Sequence, residues 1–178
     1  MNPFKQDLEA IRKRAKEKME DGAVTGAFKG DPEKIVAVLN EVLATELVCV
    51  LRYKSHYYMA KGIHASSVED EFLEHANEEQ GHADMAAKRI TELNGVPDMN
   101  PASLAKRSHA EYGNAKTLQE MIKDDLVAER IAIQTYGEIV QWLGDSDPTT
   151  RRMIEEILEV EEEHADDMAK LLERVGNK

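Results

Sequence analysis

The feature that most narrows what this chain can fold into is a motif that puts charge where a helix should be apolar. The stretch "EEQGHADMAAKRI" contains Glu79-x-x-His82, and "EVEEEHADDMAKLL" contains Glu161-x-x-His164. Residues three apart share a helix face. Glu79 and His82 therefore lie on the stripe that carries Phe72, Ala76, Ala83, Ala86 and Ile90, a spacing that marks a core-facing surface. Desolvating a lone carboxylate is costly even after the protein relaxes around it. A chain that buries these groups must bring something to compensate them.

The second motif repeats the first 82 residues on, including the Ala-Asp that follows each histidine. The repeat extends to two other segments. Glu46 is followed seven residues later by Tyr53, and 83 residues on Glu129 is followed seven later by Tyr136. Glu46 is in helical register with Leu39, and Glu129 with Ile122 and Ile133, so both share an apolar stripe. Each half of the chain thus supplies Glu…Tyr from one helix and Glu-x-x-His from the next.

Helix punctuation divides the chain consistently with this repeat. The first long helix opens at Asp31-Pro32, carries Ile35, Leu39, Val42, Leu43, Val50 and Tyr57, and is expected to end near Gly62. The second opens at Ser66 or Ser67, with acids in its first turn, and stops at Gly95 ahead of Pro97. The third opens at Thr117, with Glu120 at capping-box spacing, and stops at Gly144. The fourth opens at Asp147-Pro148 and runs to Gly176. Short links inside each pair make two antiparallel hairpins, and Val96 to about Lys116 is a long crossover. No strand alternation competes. The expectation is an all-α, ferritin-like four-helix bundle over residues 31–175. Residues 1–30 form an N-terminal extension. In it Leu8, Ile11, Ala15 and Met19 recur at the spacing of a short amphipathic helix, and "GAVTGAFKG" reads as a flexible linker.

Composition supports this reading and limits function. Aromatic residues are only 5% and charged residues 33% of the chain, which suits helices better than sandwiches. A net charge of −12 argues against nucleic acid as the main partner and favours cations. Cys49 is the one cysteine, so no intrachain disulfide can form. The N-terminus lacks an apolar leader, and no apolar run reaches the roughly 18 residues needed to span a bilayer. A cytoplasmic protein without membrane contact is expected.

If the helices bundle, Glu46, Glu79, His82, Glu129, Glu161 and His164 face one interior volume. Two dications would neutralise four carboxylates, and the imidazoles would add nitrogen donors. Oxygen-rich ligation with some imidazole suits iron or manganese, whereas structural zinc more often takes thiolates. One Glu from each of two helices and Glu-x-x-His from each of the other two is the ligand set of di-iron carboxylate bundles.

The segments "LATELVCVLRYKSHYYM", "EHANEEQGHADMAAKRI", "DDLVAERIAIQTY" and "IEEILEVEEEHADDMAKLL" resemble the four helices of bacterioferritins and related ferritin-like proteins, over about residues 31–175. The resemblance implies an intrasubunit di-iron ferroxidase centre, two iron ions per subunit, that oxidises Fe(II) with O2 or H2O2. By position it assigns Glu46, Glu79, His82, Glu129, Glu161 and His164 as ligands, with Glu79 and Glu161 bridging. Tyr53 matches a tyrosine beside the centre that hydrogen-bonds to a ligand. Gln80 stands where bacterioferritins carry the haem-ligating methionine, which argues against haem. The short segment after His164 leaves no room for a fifth helix, and the N-terminal extension resembles the Dps-type mini-ferritins. A homo-oligomeric cage of 12 subunits rather than 24 is therefore expected. Two alternatives are a DNA-protecting mini-ferritin and an uncaged di-iron or di-manganese redox enzyme of rubrerythrin-like type. Rubrerythrin itself needs a four-cysteine rubredoxin centre.

Other residues carry plainer expectations. Cys49 reads as a small buried hydrophobe. Tyr53 and Tyr136 read either as plain core aromatics or, on their matched spacing, as donors that orient carboxylates. Asp125, one turn before Glu129, reads as a simple surface acid, with capture of the proton of a ligand histidine on another helix as the alternative. Glu74, His75 and Glu78 read as a solvated face, with an iron path as the alternative. Mid-helix Gly81 suggests close approach of a neighbouring helix. The basic run "IRKRAKEK" from Ile11 to Lys18 reads as subunit packing or a solvated helix before DNA contact.

Overall fold

The computed structural model describes residues 3–61 and 65–176, with the side chains of 65–67 and 176 left aside. It is all-helical among those residues. A short helix α1 (Leu8–Arg14) and a 3-10 turn (Met19–Asp21) precede four long helices, α2 (Pro32–Met59), α3 (Ala65–Glu92), α5 (Leu118–Leu143) and α6 (Pro148–Gly176). A four-residue helix α4 (Leu104–Arg107) lies in the crossover. The long helices pair as hairpins, α2 on α3 and α5 on α6, with the crossover carrying the chain from one hairpin to the other.

The caps explain where the helices begin. The Asp31 side chain accepts from Lys34 N–H at the start of α2, with Pro32 in the first turn where its missing N–H costs nothing. Thr117 and Glu120 form a reciprocal capping box at α5. Asp147 accepts from Thr150 N–H at the start of α6 and also receives the buried Arg89 guanidinium of α3, at 3.0 Å. That pair ties the α5–α6 turn to α3. At the other hairpin Gly95 is required sterically: a Cβ there would sit 2.6 Å from Val36.

Two apolar clusters fill the bundle and leave its middle to polar groups. One gathers Ile35, Leu39, Leu43, Ala86, Ile90, Ile139, Leu143, Ile154 and Ile157 towards one end. The other gathers Tyr53, Val68, Phe72, Ala76, Met121, Ile122, Met168 and Leu171 towards the other. The six sequence-predicted ligands lie between them.

Several expectations need correction. The extension is helical only from Leu8 to Arg14, with no buried residue, and Met19 belongs to a separate 3-10 turn. Seven residues cannot repay helix nucleation without packing, and Leu8 and Ile11 face solvent. The glycine-rich stretch is not a free linker, since Val24 and Phe28 pack on the larger core cluster. α2 ends at Met59, Gly62 lies outside the described residues, and Tyr57 is only half-buried. α3 begins at Ala65 with no acid in its first turn. Gly81 faces open space, with nothing within 4 Å of a built Cβ, so close helix packing does not explain it.

Candidate metal centre

Glu46 from α2, Glu79 and His82 from α3, Glu129 from α5, and Glu161 and His164 from α6 converge midway along the bundle, all buried. They sort into two overlapping groups. Glu46, Glu79, His82 and Glu161 present donor atoms within 4.8 Å of one another, and so do Glu79, Glu129, Glu161 and His164. Glu79 and Glu161 belong to both. His82 Nδ1 lies 3.0 Å from Glu161, 3.4 Å from Glu46 and 3.6 Å from Glu79. His164 Nδ1 lies 3.4 Å from Glu79 and 3.6 Å from Glu161. The two imidazoles are 6.3 Å apart and nearly parallel. Each Glu-x-x-His pair thus faces one subsite, while its carboxylate reaches the other as well.

The tyrosines cross between hairpins. The Tyr53 hydroxyl on α2 donates to Glu129 on α5, and the Tyr136 hydroxyl on α5 donates to Glu46 on α2. Each fixes a carboxylate that belongs to one group only. Tyr53 acts here through Glu129, and Tyr136 is its counterpart on the other side.

Charge in this volume is balanced by an uneven distribution of protons. Burial pushes the carboxyls of Glu46 and Glu129 well above their ordinary range, and the neighbouring Glu79 and Glu161 charges add to the push. Burial acts on Glu79 in the same sense. There, the close approach of Glu46, His164 and His82 outweighs it and holds the carboxyl well below its usual range. Glu161 is lowered too, because the close approach of His164, His82 and Glu129 overcomes burial and the Glu79 charge. Burial disfavours the imidazolium at both histidines, but Glu161 and its neighbours prevail and raise both, His164 to about 11. With no cation among them, two carboxylates, two carboxylic acids and two imidazolium ions sum to neutrality. Several donor atoms have no hydrogen-bond partner even so: Glu46 Oε2, Glu79 Oε1, His82 Nδ1, Glu129 Oε2, both Glu161 oxygens and His164 Nδ1. Buried polar atoms without partners are uncommon in native proteins and point to an ion or water. A pair of dications would displace the protons and engage these lone pairs.

Support for the centre is one-sided, which the sequence did not show. Glu78 Oε2 accepts from His164 Nε2 at 2.7 Å, orienting the ring so that Nδ1 faces the carboxylates. His75 is 3% exposed, stacks on His164 with ring centres 3.9 Å apart, and places Nδ1 3.2 Å from the Tyr53 hydroxyl. Burial and the His164 charge lower its pKa to about 4, so the ring is neutral. Neither residue belongs to a merely solvated face, whereas Glu74 is exposed. The available signal was register: His75 lies one turn before Glu79 on the same stripe.

Asp125 does not serve a ligand histidine. It is fully buried, accepting from Arg52 Nε and pairing with His56 Nδ1, both at 2.8 Å. Arg52 needs this anion because its guanidinium is buried between the hairpins, where it also donates to the Glu111 carbonyl of the crossover at 3.0 Å. Its remaining arm reaches Cys49 Sγ at 3.3 Å. Cys49 is a buried thiol whose pKa burial pushes well up, with the Arg52 charge opposing.

Known proteins share this architecture. The ferritin-like domain family model matches residues 36–176. A bacterioferritin from Rhodobacter capsulatus is 28% identical over 140 residues, covering 78% of this chain and 82% of that protein. A DNA protection during starvation protein from Pyrococcus furiosus is 29% identical over 137 residues, covering 75% of this chain and 74% of its own. Among solved structures, a dodecameric thioferritin, described as a bacterioferritin-related protein from Bacteroides fragilis, superposes with a TM-score of 0.79 at 31% identity. That match covers 83% of this chain and 89% of that one. A Dps from Thermosynechococcus elongatus shares the fold at a TM-score of 0.76 and 20% identity, over 79% of this chain and 90% of its own.

Proposed function

The chain belongs to the ferritin-like domain family, and from that premise we propose that it stores and detoxifies iron by oxidising Fe(II) at the centre between its four long helices. The observation that carries this reading is the pair of donor groups sharing Glu79 and Glu161, with their unpartnered buried atoms. In this assignment Glu46 and His82 hold one Fe(II), Glu129 and His164 hold the other, and Glu79 and Glu161 bridge. Carboxylates stabilise the ferric product more than the ferrous substrate, which favours loss of an electron from each ion. Two Fe(II) deliver two electrons to one oxidant: with H2O2 and two protons, two Fe(III) and two waters result. With O2 and two protons, the products are two Fe(III) and H2O2. Tyr53 and Tyr136 position Glu129 and Glu46 by hydrogen bonding.

Manganese would suit the same donors. Haem is not part of the proposal, since Gln80 occupies the position that a methionine takes in haem-binding bacterioferritins. The proposed assembly is a twelve-subunit cage in which ferric product collects, in keeping with the dodecameric relative. The proposed setting is the cytoplasm; no described helix is long and apolar enough to cross a membrane.

Aerobic Fe(II) addition, followed by the rise of ferric absorbance, tests the site. A Glu79→Ala/His82→Ala variant is expected to oxidise iron no faster than free solution. Oxidation at the parental rate would show that the assignment is wrong. Light scattering tests the cage, and a stable monomer or dimer would favour an uncaged redox enzyme.

A second reading, DNA protection, draws on the Pyrococcus relative's name and on α1, whose last turn exposes Arg12, Lys13 and Arg14. A gel shift with and without residues 1–22 tests it. Absence of salt-sensitive binding by the full chain would remove it.

A further inference from the structure

We propose that the N-terminal segment of one copy of this chain docks on a second copy, where Phe4, Leu8 and Ile11 cover the Trp142 groove between α2 and α5 and the segment's cations meet the acids on the groove's rim. Such a contact belongs to the assembly proposed above and rests on more than one copy being present, not on iron oxidation.

The groove lies at one end of the bundle, where α2 begins and α5 finishes. Val38 and Glu41 of α2, Glu138, Ile139 and Trp142 of α5, and His109 of the crossover line a cavity of about 330 Å³. Ile139 is its buried floor, and Trp142 stands 51% exposed at its wall. Tryptophan is enriched among the residues that anchor protein–protein contacts, because it covers a large area at little conformational cost. Glu41 and Glu138 stand exposed on the rim, with His109 Nε2 3.4 Å from Glu41.

The segment has the complementary character. Leu8 and Ile11 share one face of α1, Phe4 lies just ahead of them, and all three are exposed. α1 buries no residue on its own chain. Seven residues hold a helix only when a face is packed, so this face needs a cover from elsewhere. Arg12, Lys13 and Arg14 fill the last turn of α1. Residues 1–20 hold six Lys/Arg against four Asp/Glu, so the rest of the chain carries all of the net −12 and more. An apolar face bordered by cations therefore matches an apolar groove bordered by carboxylates, and a like chain attracts the segment.

The tether of the segment favours a neighbour's groove over its own. The Asp21 carbonyl accepts from the Asn94 side chain at 3.0 Å, and Asp21 borders a cleft with Val36, Leu93 and Asn94. The chain thus leaves α1 on the α2–α3 side of the bundle, whereas the groove opens on the α2–α5 side.

Trp142 is the one tryptophan, so its emission reports on the groove directly. Leu8→Glu/Ile11→Glu in the full chain alters only exposed side chains. The emission is expected to move to the red in this variant, and acrylamide is expected to quench it more readily. The deciding sample combines two chains in one assembly by co-expression. One carries Leu8→Glu/Ile11→Glu and keeps Trp142; the other carries Trp142→Phe and keeps an intact segment. Docking between copies restores the blue-shifted emission in that sample. No restoration means that the segment serves its own groove or none, and overturns the proposal. An emission unmoved by Leu8→Glu/Ile11→Glu does the same; if that variant also loses a gel shift seen with the parent, nucleic acid is the segment's partner instead. A single copy in light scattering removes the contact together with the cage. Absence of Fe(II) oxidation with the emission restored in the combined sample defeats the iron reading and leaves the contact standing.

Discussion

The two halves of the candidate metal centre are built from one repeat and set in different surroundings. Around His82 and Glu46 the repeat meets apolar packing; around His164 and Glu129 it meets a polar shell. Position by position, Glu78 corresponds to Val160 and His75 to Ile157, 82 residues on. Arg52, His56 and Asp125 correspond to Thr135, Ile139 and Val42 at the 83-residue offset. What the halves share is six donors and two tyrosines. What they do not share is everything that orients a histidine through its far nitrogen. The repeat therefore carries the donor set, and its breakdown makes the two subsites unequal: Glu78 and His75 touch His164, while their counterparts Val160 and Ile157 are apolar.

The largest effect should come from a residue that belongs to both halves. Replacing Glu161 with Ala removes a donor from each group, so Co(II) titration should show loss of both paired equivalents. Affinity should fall by more than the 10–100-fold that a supporting residue is worth. Retention of one tight equivalent would mean that the halves are independent sites, and the shared-carboxylate description would fail.

Next in size is the stability difference between the polar and apolar ends. Asp125→Ala leaves Arg52 buried without its anion and should cost about 3–5 kcal/mol in denaturant unfolding. At the matching apolar position of His56, Ile139→Val should cost about 0.5–1.5 kcal/mol. Equal costs would show that the Arg52–Asp125–His56 group is solvated well enough to be dispensable.

These positions also show what sequence reasoning reaches. The repeated Glu-x-x-His, the Glu…Tyr spacing and the caps at Asp31, Thr117 and Asp147 report on single helices, and a single helix is what periodicity describes. Asp125 is fully buried where a surface acid is the expectation, because register says which face a residue occupies but not which cation arrives from the facing helix. Glu78 is the clearest case: its backbone lies at an exposed position of α3, and only the long side chain reaches His164 on α6. The same limit applies to α1, where apolar spacing suggested a longer helix but offered nothing for it to pack on.

Glu78→Gln tests the polar shell directly. The amide keeps the size and loses the charge that favours an oriented His164. Affinity at the His164 subsite should drop about 10-fold, with the His82 subsite unchanged. Separate Co(II) equivalents, resolved by absorbance, give the comparison. A drop at both subsites would show that Glu78 acts through overall charge rather than through one imidazole.

The smallest effect should come from repairing the asymmetry. Val160 occupies on α6 the place relative to His82 that Glu78 occupies on α3 relative to His164, and it is only half-buried. Val160→Glu should therefore bring a carboxylate to the far nitrogen of His82 without burying a new charge deeply. The expected gain is about 3-fold in affinity at the His82 subsite, below the 10–100-fold scale seen when such partners are removed, because a grafted carboxylate is not preorganised. The double variant Glu78→Gln/Val160→Glu should reverse the order in which the two subsites fill. If the order stays as in the parent, it is set by the His75 ring stacked on His164 rather than by the orientation of the ligand histidines, and the role assigned to Glu78 would pass to its neighbours on that face.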